Sequence, residues 1–253
     1  MSERLLRILE SFDLSRPVRK PAQLMDELGV SRASIYRDLK ALEEAGLLER
    51  VADRGYALGP LIVELDRQIR LADPLLQASG TLLRKLAAET GGTVLLCRVH
   101  GDKVLCIHQE MPSDPVTPVS YERGRAMPLY RGATSKVILA HLPRAELERL
   151  WNRDRATIVA AGFPSGLQGF LAELEPLREA KACVTHSEVD AGMAGLAVAL
   201  LDGQRVLGSL SVVIPLARLP AARSKTVLSK VFSVASSIES TLENERLRAR
   251  SKR

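Results

Sequence analysis

The chain has 253 residues, long for one domain and comfortable for two. Apolar residues make up 46% and aromatics only 4%, so Leu, Ala and Val must fill the core, and a globally disordered chain is excluded. The net charge of +6 is mild, and residues 1–59 hold ten basic and ten acidic side chains, so a case for an anionic partner has to rest on where charges face.

The three cysteines, Cys97, Cys106 and Cys183, form no CxxC pair, and the odd count argues against a disulfide framework. The start, MSERLLRILESF, is too charged for a signal peptide, and no apolar run has the length of a membrane span. The chain is therefore expected to be cytoplasmic, without a membrane partner.

In residues 2–12 Leu5, Ile8, Leu9 and Phe12 form one apolar stripe, which predicts a helix. Residues 13–20 read as a loop. Pro21 opens a short helix that Gly29 stops. Ser31 then caps a helix over 32–45 whose stripe is Ile35, Leu39 and Leu42. Two extended pieces, 47–51 and 56–58, flank the turn Ala52-Asp53-Arg54-Gly55. Pro60 and Pro74 bracket a connecting helix with Leu61, Leu65 and Ile69 on one side. Beyond it a helix is expected over 75–89. Strands are expected over 93–100 and 104–111, and helices over 132–141, 144–152 and 167–181. Strands at 183–188, 195–201 and 206–214 follow. A long closing helix carries Val227, Val231, Val234, Ile238 and Leu242 on one face and ends in a basic tail. Hairpins with flanking helices predict an α+β fold with an antiparallel sheet.

Helix, short helix, glycine turn, helix and hairpin is the order of a winged helix-turn-helix. The helix from 32 must bury one stripe and can offer the other to a DNA groove. That outer side carries Ser31, Arg32, Ser34, Tyr36, Arg37 and Lys40, with Arg50 and Arg54 on the wing. Guanidinium groups can reach guanine edges or phosphates, hydroxyls can donate to either, and the helix N-terminus attracts phosphate. Asp26, Glu27, Glu43 and Glu44 can face elsewhere, leaving a neutral domain with one positive face.

The run Ala22–Arg50 followed by Gly55-Tyr-Ala-Leu-Gly-Pro resembles the DNA-binding domain of IclR-type bacterial transcription regulators. Gly124–Ala140, Glu188-x3-Gly192-x2-Gly195-Leu-Ala197 and Gly208-Ser-Leu-Ser-Val resemble the effector domain of the same family, so the likeness covers about residues 3–245. It implies a winged helix-turn-helix over 1–59, a connecting helix over 60–74 and a GAF-like domain over 75–248 that binds an effector and drives oligomerisation. A basic tail over 249–253 completes the chain. It also implies double-stranded operator DNA with palindromic half-sites, a small organic effector of the carboxylate or aromatic-acid class, and a homodimer or dimer of dimers.

Carried over by position, the effector site would comprise Tyr130, Arg131, Ala133, Thr134, Thr185, Gly195, Ser209 and Ser211. Hydroxyls and free N–H groups at the start of the Gly132 helix can hold a carboxylate without burying a full positive charge. Small residues there equally serve close packing. Tyr130, Ser135 and Val198-Ala199 depart from the family's usual His, Gly and Ala-Pro.

No catalytic residue, metal ligand or cofactor is assigned. One competing reading is a metal or thiol site from Cys97, His100, Cys106 and His108 on one hairpin. A turn centred on Asp102 turns Cys97 away from Cys106 and His108, and a turn one residue shorter brings all three to one face. Another is a sensor that acts through a protein partner.

Overall fold

The computed structural model describes residues 3–52, 55–113 and 119–251 and divides into two units, residues 1–73 and 74–253. Among the described residues no helix is long and apolar enough to cross a membrane.

In the first unit α1 (Glu3–Glu10), α2 (Pro21–Leu28) and α3 (Arg32–Glu44) precede the antiparallel pair β1 (Leu48–Val51) and β2 (Gly55–Leu58), and α4 (Pro60–Ala72) follows. Gly29 ends α2 in the left-handed conformation at φ 65°, and Ser31 caps α3. Ile8, Leu24, Ile35, Leu39, Leu42, Leu48 and Tyr56 are buried together and form the core, against which Leu5, Leu9 and Phe12 pack. Arg19, expected in a loop, exchanges both backbone hydrogen bonds with Tyr56 and so adds a third edge to the wing. The turn residues Asp53 and Arg54 lie outside the described residues.

The second unit is built on a six-stranded antiparallel sheet in the order β5-β4-β3-β8-β7-β6. Its strands are β3 (Thr93–His100), β4 (Lys103–Glu110), β5 (Ala126–Pro128), β6 (Ala182–His186), β7 (Met193–Asp202) and β8 (Arg205–Pro215). Period-two alternation sorts side chains to two faces. Val94, Leu96, Leu196, Val198, Leu210 and Val212 pack with α5 (Pro74–Thr90) and α9 (Ala221–Ser251). The opposite face carries α6 (Ala133–Ala140), α7 (Arg144–Ala160) and α8 (Leu167–Ala180). There Ala197 and Ala199 meet Ala133 and Val137, so small sheet residues let α6 lie close on the strands.

Three features depart from expectation. β5 is an edge strand of three residues containing Pro128, in a stretch to which the sequence pattern assigns no element. α7 was expected to stop at residue 152 but runs to Ala160 through a non-helical Asp154 at φ −118° and ψ 18°. Burial of Ile158 outweighs the weak helix preference of the β-branched run Thr157-Ile158-Val159. The closing helix stays regular through Ser251.

Candidate nucleic-acid interface and ligand cleft

Two helices carry the candidate chemistry, α3 in the first unit and α6 in the second. Ser31 accepts a hydrogen bond from the Ser34 amide at 3.4 Å, and its hydroxyl lies 3.1 Å from that of Ser34. Ile35, Leu39 and Leu42 turn inward as expected, joined by a fourth buried residue, Asp38. The Arg4 guanidinium of α1 reaches back to the Asp38 carboxylate, with Nη2 3.1 Å from Oδ1. A carboxylate on α3 is thereby neutralised on its inner side.

The outer side exposes Arg32, Tyr36, Arg37 and Lys40. The Arg32 guanidinium lies 5.6 Å from the centre of the Tyr36 ring, and Lys40 Nζ lies 3.6 Å from Glu44 Oε1. Glu44 therefore shares the exposed face that the acids were expected to leave. Arg37 has no ion-pair partner among the described residues. Glu27 faces away, held by Arg19, whose side chain is buried and also donates to the Ser11 carbonyl at 2.8 Å. On the wing Arg50 stacks over Tyr56 at 5.8 Å.

In the second unit Gly132 opens α6 at φ 81°. A small cleft of about 30 Å³ lies beside it, lined by Tyr121, Ala133, Thr134, Thr185, Gly195 and Val213, with Glu188, Val189, Asp190 and Met193 at its side. Its polar groups satisfy one another. The Ala133 amide donates to Thr185 Oγ1 at 3.2 Å, Thr134 and Ser211 hydroxyls meet at 2.9 Å, and Ser209 donates to the Thr134 carbonyl at 3.0 Å. Ser209 and Ser211 are fully buried beneath α6 and do not line the cleft.

Lys136 pairs with Glu188 at 2.6 Å and sits over the Phe163 ring, while Asp190 accepts from the Ser120 amide at 2.9 Å. Arg131 donates to the Glu188 carbonyl at the rim. Tyr130 turns away from the cleft and donates to Asp154 Oδ2 at 2.7 Å, at the break in α7. The aromatic that does reach the cleft is Tyr121, which sequence reasoning missed. Its hydroxyl lies 2.6 Å from Ser135 Oγ and donates to the Arg131 carbonyl at 3.1 Å. Burial pushes this phenol well above its ordinary range, so it stays a neutral hydroxyl. A lone aromatic in the otherwise polar stretch before Gly124 was the available signal.

The thiol hairpin has a turn of two residues, with His100 paired to Lys103 and Cys97 to Cys106. A bulge after that pair sets His108 opposite Leu96. His108 Nε2 lies 3.0 Å from Glu110 Oε1, and the Cys106 thiol donates to the His108 carbonyl at 3.3 Å. Burial pushes the Cys97 thiol up, and Cys183, beneath α6, up to about 12, so both behave as small apolar residues. Among the described residues no three His, Cys, Asp or Glu side chains converge as metal ligands.

Comparison with known proteins agrees with both units. Residues 72–240 match the family described as bacterial transcriptional regulator IclR C-terminal, and residues 4–57 match an HTH domain. The chain is 24% identical over 223 residues to the HTH-type transcriptional regulator KipR of Bacillus subtilis, covering 88% of this chain and 89% of that one. It is 28% identical over 217 residues to the regulator Rv1719 of Mycobacterium tuberculosis, covering 85% and 80%. A putative IclR regulator from Silicibacter superposes with a TM-score of 0.77 at 23% identity, covering 94% of each chain. An IclR homologue from Microbacterium hydrocarbonoxydans, solved with 4-hydroxybenzoate, superposes with a TM-score of 0.76 at 18% identity, covering 95% and 98%. With the effector-domain match spanning most of its length behind a helix-turn-helix, the chain belongs to the IclR family of bacterial transcription regulators.

Proposed function

We propose that the protein reads operator DNA through the outer face of α3, and that a small organic acid at the α6 cleft sets its operator affinity. The observation that carries the DNA reading is the exposed row of Arg32, Tyr36, Arg37 and Lys40, with the one nearby buried carboxylate, Asp38, tied inward to Arg4. Arg37 is the residue we assign to a base edge or phosphate. Ser31 and Ser34 are assigned to phosphates at the helix start, and Arg54 to the flanking backbone. A single winged domain reads few base pairs, so two copies must present their α3 helices about one DNA turn apart, or a multiple. The apolar side of α4, where Leu65 and Ile69 are exposed, suits pairing with a second copy.

Residues 1–59 would serve DNA binding, 60–74 connection, 75–248 sensing and assembly, and 249–253 a basic tail. An acid of the class bound by the Microbacterium homologue fits the cleft chemistry. Its apolar body would face Val189, Met193 and Val213, and its carboxylate the Ala133 amide and the Thr185 and Thr134 hydroxyls. Room for about a water molecule means the effector must displace hydrogen bonds that the cleft now makes within itself. Lys136 neutralises Glu188, which lowers the repulsion an incoming carboxylate meets.

A mobility-shift titration on the gene's own upstream DNA, at two salt concentrations, tests this reading. Arg37→Ala is expected to weaken operator binding by about 1–3 kcal/mol and relax preference at one base position if Arg37 reads a base edge, and to weaken binding to all sequences alike with a smaller salt dependence if it holds a phosphate. Binding that is uniformly weak and indifferent to the substitution would point instead to a sensor acting through a protein partner.

A further inference from the structure

At the far end of α6 from the cleft lies a second, larger opening. A groove of about 860 Å³ runs between the α6–α7 connection, the end of α8 and the β7–β8 turn. Five of its lining residues are His141, Arg144, Arg178, Lys181 and Arg205, and no carboxylate lines it among the described residues. Its size falls in the range of small-molecule pockets, roughly 300–1,000 Å³.

Of the neighbouring acids, Glu148 pairs with the groove's own Arg144 at 2.9 Å, and Asp202 pairs with Arg246 of α9. Arg178, Lys181 and Arg205 have no carboxylate partner among the described residues. Arg178 is nonetheless fixed in place. Its Nε donates to the Ala140 carbonyl at 2.6 Å and Nη2 to the Leu142 carbonyl at 3.1 Å, which leaves the rest of its donor fork unused.

His141 lies 2.8 Å through Nδ1 from the Val137 carbonyl, so Nδ1 carries the proton. Its Nε2 is buried and has no hydrogen-bond partner among the described residues. Burial, followed by the charges of Arg178 and Lys181, holds this imidazole below its ordinary range. Lys181 ends α8 in the left-handed conformation at φ 50°, a position where glycine costs less. The chain thus keeps a lysine at a strained backbone position facing three other cationic side chains across an open volume.

We infer that this groove binds a small polyanion, a phosphoryl or polycarboxylate compound with at least two negative charges that bridge Arg178 and Lys181 to Arg205. One charge would leave two of the three cations uncompensated, whereas two charges leave one and three leave none, and a multiply charged ligand also satisfies the open donors of Arg178. The site shares no residue with the α6 cleft, so it stands or falls separately from the effector reading.

Titration calorimetry on the full-length protein, with pyrophosphate and citrate as probes at matched ionic strength, tests it. The expected result is saturable binding of at least one probe, weakened roughly tenfold or more in the Lys181→Gly, Arg205→Ala double variant. Thermal unfolding controls for folding, because Lys181→Gly relieves the backbone and is expected to hold or raise the melting temperature. Preference for pyrophosphate assigns the phosphoryl class, and preference for citrate the polycarboxylate class. Gly195→Ala, in the other cleft, is expected to leave both titrations unchanged. Equal affinity in wild type and double variant overturns the proposal. So does heat that tracks ionic strength alone, and so does a substitution-sensitive change in oligomeric state without any anion binding, which would give the groove to a second copy.

Discussion

Two glycines face the α6 cleft, and their surroundings predict opposite outcomes for the same substitution. At Gly132 a Cβ would lie 2.7 Å from Val189 Cγ2, on a backbone at φ 81° that side chains other than glycine's adopt at a cost. Gly132→Ala is expected to destabilise the second unit by about 1–2 kcal/mol. At Gly195 the backbone is ordinary, and a Cβ would sit 3.4 Å from Ala133 Cβ and Thr185 Oγ1, in normal contact. Gly195→Ala is expected to fold as well as wild type while its methyl occupies the space a ligand needs. Thermal melts of both variants, with a titration of 4-hydroxybenzoate as the probe acid, check the pair. A Gly195→Ala protein that binds the probe as wild type does would place the effector elsewhere. Tyr121→Phe adds a third reading of the same spot: it removes the hydroxyl shared by Ser135 and the Arg131 carbonyl, and leaves buried Ser135 short of a partner. A loss of about 1–2 kcal/mol in urea unfolding is expected.

Among the elements, the first unit depends on carboxylates that bind loops and helices together. Asp13 accepts from the Ser15 amide at 2.8 Å and from Arg16, and Glu27 of α2 holds the buried Arg19 beside the wing. Hydrogen bonds from Ser15 and then Arg16 hold the Asp13 carboxyl far below its ordinary range, and Arg19 does the same, to a lesser degree, for Glu27. A carboxyl with a lowered pKa in the folded state adds stability above its unfolded pKa and loses it as pH falls through the folded value. Protection of the α2 and wing amides is therefore expected to hold from neutrality to about pH 5 and to fall below about pH 4. Hydrogen exchange on the full chain, corrected for intrinsic rates, measures this. Glu27→Gln should lower protection already at neutral pH and shrink the further loss in acid, and an unchanged acid profile in that variant would remove Glu27 from the account.

The same elements show what local pattern can and cannot reveal. The stripe Ile35/Leu39/Leu42, the stop at Gly29 and the cap at Ser31 were legible, because each depends on neighbours within one or two turns. The Asp38–Arg4 pair, the Arg19–Tyr56 bridge and the Tyr130–Asp154 bond join residues 34, 37 and 24 positions apart, and no periodicity encodes them. Strand parity on the thiol hairpin hung on a single bulge between Leu96 and Cys97, which sequence leaves open. Of the residues carried over to the cleft, Ala133, Thr134, Thr185 and Gly195 gather there, while Tyr130 serves the α7 break.

For the whole molecule, the proposed function requires a coupling free energy between the α3 face and the α6 cleft, which lie in different units. Such coupling is reciprocal in binding: if the acid weakens operator affinity tenfold, about 1.4 kcal/mol, saturating operator must weaken the acid's affinity by the same factor. The acid's own affinity cannot supply this, because a ligand that binds both states equally shifts neither. Something must differ between the two states, and the α4 helix is the element to test. It buries none of its side chains, yet Val63, Leu65 and Ile69 are apolar and exposed at 71%, 40% and 61%. If α4 pairs two copies, Ile69→Glu places a charge in that seam. Sedimentation should then show a weaker dimer, and operator affinity at low protein concentration should fall with it. The acid's affinity in the absence of DNA should not change, since no residue of the cleft is touched. Operator binding that stays intact in Ile69→Glu would exclude α4 as the pairing element. Equal factors in the two directions, measured with and without saturating operator, would establish two linked sites on one protein. A tightly bound acid with no effect on operator affinity in either direction would leave the cleft a binding site without regulatory consequence for DNA.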